Sequence, residues 1–465
     1  MTALIAPSRH RPRYHYTAPR GWLNDPNGVG FHAGRYHLFY QFNPAAPRWG
    51  DIQWGHASSA DLLTWRDEPV ALVPSPGHDA GGCFSGSLAL VDGVPTIYYT
   101  GYTPERQVQC VATGSADLRH WTKQPQRTIV DPPEGVGATD FRDPYVFRHD
   151  GQWRMAVGAS LRSERGQVLL YRSDDGVQWH HLGPAYTAPD LAHGVLWECP
   201  NLFPLGDRWV LTVSVWPNLG VLAYVGRFDG TTFVPESESV HDVDGGAFAH
   251  LAMRAPDGRT LQWSWLNEQR AQPAIDAEGW AGALSVPREL ALDARRRLLQ
   301  RPAAEVAALR RGPVPITATG ERRGITHRFQ GTCLDLEARF TMRDRLKCGL
   351  VLAASPGGEE STRVLFWPDA RRLVVERGAS SQDPGTRRQD LWALLVLDEG
   401  EPLDLRVLLD HSVLEVYANQ RLCLSTRLYP TRADSLEGWA FADGDADVAV
   451  QAWTMGGVID AASGR

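Results

Sequence analysis

The chain has 465 residues, enough for two or three domains, and its 22% charged and 43% hydrophobic content is that of an ordinary globular protein. A net charge of −7 with acids and bases interspersed offers no basic stripe for nucleic acid, and no run of about 18 apolar residues would cross a membrane. Six scattered cysteines without a C-x-x-C pair, and histidines without ligand spacing, speak against zinc, other metals, cofactors or a disulfide framework, and favour reduced thiols in a cytoplasmic setting.

The first sixteen residues are polar, carry Arg9, Arg11 and Arg13, and lack the apolar stretch of a secretory signal. Trp22-Leu23-Asn24-Asp25-Pro26-Asn27-Gly28 follows, and its Asp-Pro-Asn-Gly portion reads as a tight turn: proline presets φ, and Asn and Gly tolerate positive φ. Helical periodicity is almost absent before residue 300. Instead Ser59-Ala60-Asp61-Leu62-Leu63-Thr64-Trp65 returns as Ser115-Ala116-Asp117-Leu118-Arg119-His120-Trp121 and as Ser173-Asp174-Asp175-Gly176-Val177-Gln178-Trp179. A degenerate copy ends at Phe233, so the interval is about 55 residues, which points to a radial β-array.

A second signature lies out of phase with the first. Asn24-Asp25-Pro26, Phe84-Ser85-Gly86, Arg142-Asp143-Pro144, Glu198-Cys199-Pro200 and Ala247-Phe248-Ala249 each open a hairpin-like pair of strands. The turns of those pairs are Ala33-Gly34, Asp92-Gly93, Asp150-Gly151, Gly206-Asp207 and Asp257-Gly258, which are hairpin dipeptides. Five openings predict a five-bladed β-propeller over residues 1–300. The first strand of each blade lines the central channel, so Asp25, Asp143 and Glu198 ring one of its mouths. Three like charges in one small pocket are costly unless something uses them. Further on, residues 302 to 311 read as a helix with Pro302 in its first turn, a short linker over 301–312. From residue 313 the alternation lengthens, and strands over 334–342, 349–354, 363–367, 403–409, 413–417 and 422–428 predict a C-terminal β-sandwich over 313–465. The fold class is thus all-β.

The same stretches resemble glycoside hydrolase family 32, the invertases and fructan hydrolases. The likeness is carried by Trp22 to Gly28, Phe39-Tyr40-Gln41, Trp54-Gly55-His56, Phe84-Ser85-Gly86-Ser87, Arg142-Asp143-Pro144, Glu198-Cys199-Pro200, Gly279-Trp280 and the hairpin from Asp410 to Tyr417, and it spans nearly the whole chain. The resemblance implies a retaining β-fructofuranosidase acting on sucrose or short fructo-oligosaccharides. Asp25 would be nucleophile, Glu198 acid/base and Asp143 transition-state stabiliser with Arg142 beside it. Asn24, Gln41, Trp49, Phe84, Ser85 and Trp280 would line the fructose pocket, with Trp22 at its rim. Fructosyl transfer and exo-hydrolysis of inulin or levan use the same chemistry, and a non-catalytic sugar-binding propeller is the alternative of another class. One departure stands out. Where the family carries Asp-Phe-Tyr-Ala, this chain has Gly246-Ala247-Phe248-Ala249, so a polar aromatic is missing; His250, next in line, reads as a packing residue. Cys199 reads as a packing residue that positions Glu198.

Overall fold

The computed structural model describes residues 8–124, 130–162, 164–217, 220–243, 245–319 and 326–457; the outer ends of the two expected domains, 1–7 and 458–465, lie outside them. Five antiparallel sheets occupy the first three hundred residues. Each begins with a strand that carries one opening motif: Gly21–His32, Gly82–Val91, Val136–His149, Leu196–Leu205 and Ala247–Arg254. These inner strands pack on one another in a closed ring, the fifth returning to the first. Three of the five hairpin dipeptides take the paired positive-φ turn. Ala33 and Gly34 have φ of 48° and 77°, and Asp92-Gly93 and Asp150-Gly151 repeat the pair, the positive–positive geometry whose twist matches the flanking strands.

The repeated Ser-x-Asp signature is an Asx turn into the outermost strand. Asp61 Oδ1 accepts the backbone N–H groups of Leu63 and Thr64 at 2.9 and 2.7 Å, and Asp175 Oδ1 does the same for Val177 and Gln178, both at 2.8 Å. The ring closes through a parallel bridge, Gly21 and Trp22 pairing with Trp280 and Ala281. Gly282 makes that approach possible: at φ 82° a Cβ there would lie 1.8 Å from Leu23 O.

Residues 302 to 311 depart from the expected helix. Leu298–Pro302 and Arg310–Pro313 are both strands, which leaves Ala304–Leu309 as a 3-10 helix; its longer rise per residue spans the short gap. The true α-helix is Gln272–Glu278, capped by Gly279 in the left-handed conformation and carrying proline in its first turn. The C-terminal region is a sandwich of a six-stranded and a seven-stranded sheet. Leu336, Phe340, Leu350, Leu352, Val364, Phe366, Val407 and Leu414 alternate inward to make its core.

Propeller and sandwich meet across buried charge. Both ring nitrogens of His15, 2% exposed, face carboxylates, Nδ1 to Asp410 at 2.9 Å and Nε2 to Glu415 at 3.0 Å. Glu415 also accepts Arg288 Nη2 at 2.8 Å, and Arg288 Nη1 reaches Asp242 at 3.3 Å. Burial by itself lowers the His15 pKa, but hydrogen bonds and charge from Asp410 and Glu415 outweigh it and raise the pKa above its usual value. A raised histidine pKa contributes stability in full below the unfolded-state pKa of about 6.5, and that contribution is lost as pH climbs through the folded-state value. His15→Gln is therefore expected to cost about 3–5 kcal/mol near pH 6, because it leaves two buried carboxylates short of a cation. The deficit should shrink toward pH 9, as measured by urea unfolding at the two pH values.

Candidate active site

Every inner strand breaks its ladder where its motif sits. Register shifts fall between Leu23 and Pro26, Cys83 and Gly86, Glu198 and Asn201, and Phe248 and Leu251, and opposite Asp143-Pro144 in the third blade. These are β-bulges, and a bulge re-aims a side chain that the pleat would bury between blades. Asp143, Cys199 and Ala249 hold φ of 65°, 47° and 53°, costly for residues with a Cβ. Pro26, Pro144 and Pro200 belong to the same logic, since proline has no N–H for the ladder.

Neighbouring strands staple the bulges. Ser87 Oγ donates to Pro144 O at 2.8 Å and accepts Val146 N–H at 3.0 Å. Asn201 Nδ2 donates to Cys199 O and His250 O, at 2.9 and 2.7 Å, while its Oδ1 accepts Ala252 N–H at 2.7 Å. Asp143 N–H donates to Thr100 Oγ1 at 2.8 Å.

The bulges bring Asp25, Asp143 and Glu198 to one cavity of about 320 Å³ at the channel mouth. Asn24, Gln41, Trp49, Phe84, Ser85 and Arg142 are in its wall. A second chamber of about 630 Å³ opens beyond Glu198, walled by Trp22, Trp49, Arg142, Trp216 and Trp265. Trp22 thus stands at the outer chamber. Trp280 is the correction. It is 2% exposed and lies behind the wall, its backbone spent on the ring-closing bridge and its indole covered by the guanidiniums of Arg270, Arg11 and Arg427 at 4.8, 5.1 and 5.5 Å.

The Asp25 carboxylate is held from both sides. Trp22 Nε1 donates to Asn24 Oδ1 at 2.8 Å, which turns the Asn24 amide so that Nδ2 donates to Asp25 Oδ1 at 3.0 Å. Ser85 Oγ donates to Oδ2 at 2.6 Å. Behind Ser85, the Asn27 amide accepts Gln41 Nε2 at 2.7 Å once its orientation is set by its hydrogen-bond partners. Cys199 N–H donates to Asp143 Oδ2 at 2.9 Å, and its thiol reaches Asp143 and Asp25 at 3.5 and 3.8 Å. Burial and the three nearby carboxylates raise that thiol's pKa well above its usual value, so it serves as a neutral donor.

Burial raises the pKa of all three acids. For Asp25, hydrogen bonds from Ser85, Asn24 and Cys199 reverse only part of the rise. Glu198 is raised by burial, lowered by Arg142 Nη1 at 2.9 Å, and raised again by the charges of Asp25 and Asp140, with a net rise. Burial and then Glu198 push Asp143 up to about 7 against the pull of Arg142. Like charges facing one cavity titrate as one set. A carboxyl with raised proton affinity beside one that accepts two side-chain donors suits acid-assisted displacement at carbon.

Phe248 occupies the cavity wall, so an aromatic ring without a hydroxyl stands there. His250 is buried against His241, with ring centroids 4.9 Å apart, and its Nε2 lies 3.3 Å from Arg288 Nη1. Among the described residues the ligand-spaced group is Cys333, Asp410 and His411. Asp410 is already spent on the N–H groups of Arg13, Tyr14 and His15 and on the His15 ring.

Sequence reasoning missed Trp216, Trp265, Asn267, Glu268 and Arg387, all in the walls of these chambers. Trp265, which meets Trp22 edge-on at 5.8 Å, belongs to a strand whose alternation was visible, but the face it presents was not. Arg387 comes from the sandwich, and no motif marks it.

Known proteins share this architecture and sequence. Residues 15–302 match the glycosyl hydrolases family 32 N-terminal domain, and residues 305–454 match the family 32 C-terminal model. A sucrose-6-phosphate hydrolase of Escherichia coli is 33% identical over 90% of this chain and 89% of its own length. A fructan 6-exohydrolase of Beta vulgaris is 31% identical over 96% and 87%. Fructan 1-exohydrolase IIa from Cichorium intybus, solved in complex with 1-kestose, superposes with a TM-score of 0.88 at 27% identity, covering 97% of this chain and 98% of that one. The chain belongs to glycosyl hydrolase family 32.

Proposed function

We propose that the chain is a retaining β-fructofuranosidase that releases terminal fructosyl units from sucrose and short fructo-oligosaccharides. The observation that carries the reading is the delivery of Asp25, Asp143 and Glu198 by three inner-strand bulges into one cavity. Family membership and relatives that act on sucrose 6-phosphate and fructan support it. Residues 1–300 form the catalytic domain in this reading, with the sandwich as its support.

In the first step Asp25 attacks the anomeric carbon of the fructosyl unit, while Glu198 gives its proton to the departing glycosidic oxygen. The Ser85 and Asn24 donors keep the Asp25 lone pairs aimed at the sugar. Arg142 trims the proton affinity of Glu198, which burial would otherwise raise further. Asp143 accepts hydrogen bonds from ring hydroxyls, and these strengthen as positive charge develops on the ring. In the second step Glu198 takes a proton from water, and the hydroxide so formed displaces Asp25 with overall retention. Tryptophans 22, 49, 216 and 265 give the leaving sugar apolar faces in the outer chamber. The six cysteines, all free, are compatible with a cytoplasmic setting. Among the described residues no helix is long and apolar enough to cross a membrane.

Incubation with sucrose under NMR observation tests the reading. Fructose should emerge first as the β-anomer; no release, or the α-anomer first, would sink it.

A further inference from the structure

The wall of the fructosyl cavity contains a buried amide that the fold leaves without a task. Asn267 follows the second strand of the fifth blade, Thr260–Leu266, and is 7% exposed. Its backbone is pinned: the N–H donates to Gly246 O at 3.3 Å, and the carbonyl accepts Gln269 Nε2 at 3.4 Å. Trp265 and Asn267 flank Leu266, whose side chain turns away into a core with Ala247, Ala283 and Val413. The alternation of an extended chain therefore gives both flanking residues the cavity side.

The other amides and the hydroxyl of that wall are spent. Asn24 and Ser85 donate to Asp25 at 3.0 and 2.6 Å, and Gln41 Nε2 donates to Cys83 O at 3.1 Å. Glu268, next to Asn267, is committed to Arg270 at 2.8 Å and to the Tyr429 hydroxyl at 2.5 Å. Asn267 Oδ1, by contrast, is enclosed and has no hydrogen-bond partner among the described residues. A buried acceptor without a donor is costly, so its retention calls for a donor from outside the protein. The terminal torsion of asparagine is soft, so the amide can present either its oxygen or its NH2 to a ligand. A sugar hydroxyl both donates and accepts, which a neutral amide matches in either orientation; an ionised carboxylate only accepts. Asn267 is in the wall of the fructosyl cavity and not in that of the outer chamber, so the unit it meets is the fructosyl group and not the leaving sugar.

We propose that Asn267 is a sugar-binding residue whose amide takes a hydroxyl of the fructosyl unit and so fixes that unit for attack, whatever the leaving group. The proposal rests on the fructosyl-hydrolase reading above. The test measures kcat/KM for sucrose, 1-kestose and an aryl fructoside in wild type and Asn267→Leu, which is close in shape and carries no polar atom. The variant should lose about tenfold, by the same factor on all three substrates, because the lost contact is to the unit they share. Deoxysucroses that each lack one fructosyl hydroxyl locate the contact: on one of them wild type and variant should be equally slow, since the partner is already gone. Asn267→Ala, which only removes atoms, serves for every comparison if leucine does not fit. An unchanged kcat/KM, a loss that varies with the leaving group, or the full loss persisting on every deoxysucrose overturns the proposal. A protein that turns over none of the three substrates fails the hydrolase reading. Calorimetric binding of sucrose in an Asp25→Ala background then still decides the role of Asn267. Affinity should fall about tenfold with Asn267→Leu, and an unchanged affinity, or no sugar binding at all, overturns the role.

Discussion

Asp25→Ala is expected to lower fructose release from sucrose by on the order of 10⁴-fold or more, while sugar binding survives. The reason is geometric. Asn24 and Ser85 donate to the two carboxylate oxygens of Asp25, and these donors remain when the carboxylate goes. The cavity keeps Asp143, Arg142, Phe84 and Trp49, so the sugar still has its polar and apolar contacts. Only the atom that would bond to the anomeric carbon is lost, and water without that intermediate has no way to split the reaction in two. Stopped-flow or NMR rates beside calorimetric binding of sucrose separate the two effects. Loss of binding together with rate would mean that Asp25 holds the sugar instead of attacking it. An unchanged rate would mean that Asp25 is not the nucleophile.

Glu198→Gln is expected to slow kcat for sucrose by about 10²–10⁴-fold, the usual worth of a positioned acid. The slowing should be far smaller for a substrate whose leaving group needs no proton, such as an aryl fructoside in the fructosylation step. The pH profile gives a second readout. Both Asp25 and Glu198 have raised pKa values, so both limbs of a bell-shaped kcat/KM curve move upward in pH: the acid limb where Asp25 must be ionised, the alkaline limb where Glu198 must hold its proton. Glutamine has no proton to lose at this position, so the variant should lose the alkaline limb and keep the acid one. A variant that retained both limbs would place the acid elsewhere. Asp143 would then be the candidate, since burial and Glu198 push it up to about 7.

Much of this was legible in the chain itself. Repeated turn dipeptides, the Ser-x-Asp turns and the period between outer-strand aromatics determined a radial array of hairpins, because turn chemistry acts within a few residues. The acids stood at equivalent points of that repeat, so their convergence could be argued before any coordinate. Even the helix at Gln272–Glu278 had its signals in Pro273 and Gly279, overlooked beside the strand pattern. Tertiary structure alone decided the rest. The bulge at Ala249 is held from other strands: Ser214 Oγ accepts Ala249 N–H, and Asn201 Nδ2 donates to His250 O. Trp280 looked like a pocket wall and became the clasp of the ring, since a parallel bridge and three guanidiniums from distant segments cover it. Arg387 reached the cavity only because the sandwich docks on the propeller through buried charge around His15, Arg288 and Glu415. Side chains brought together by docking leave no period and no spacing in a sequence, because the contact is set by two surfaces and not by neighbours along the chain.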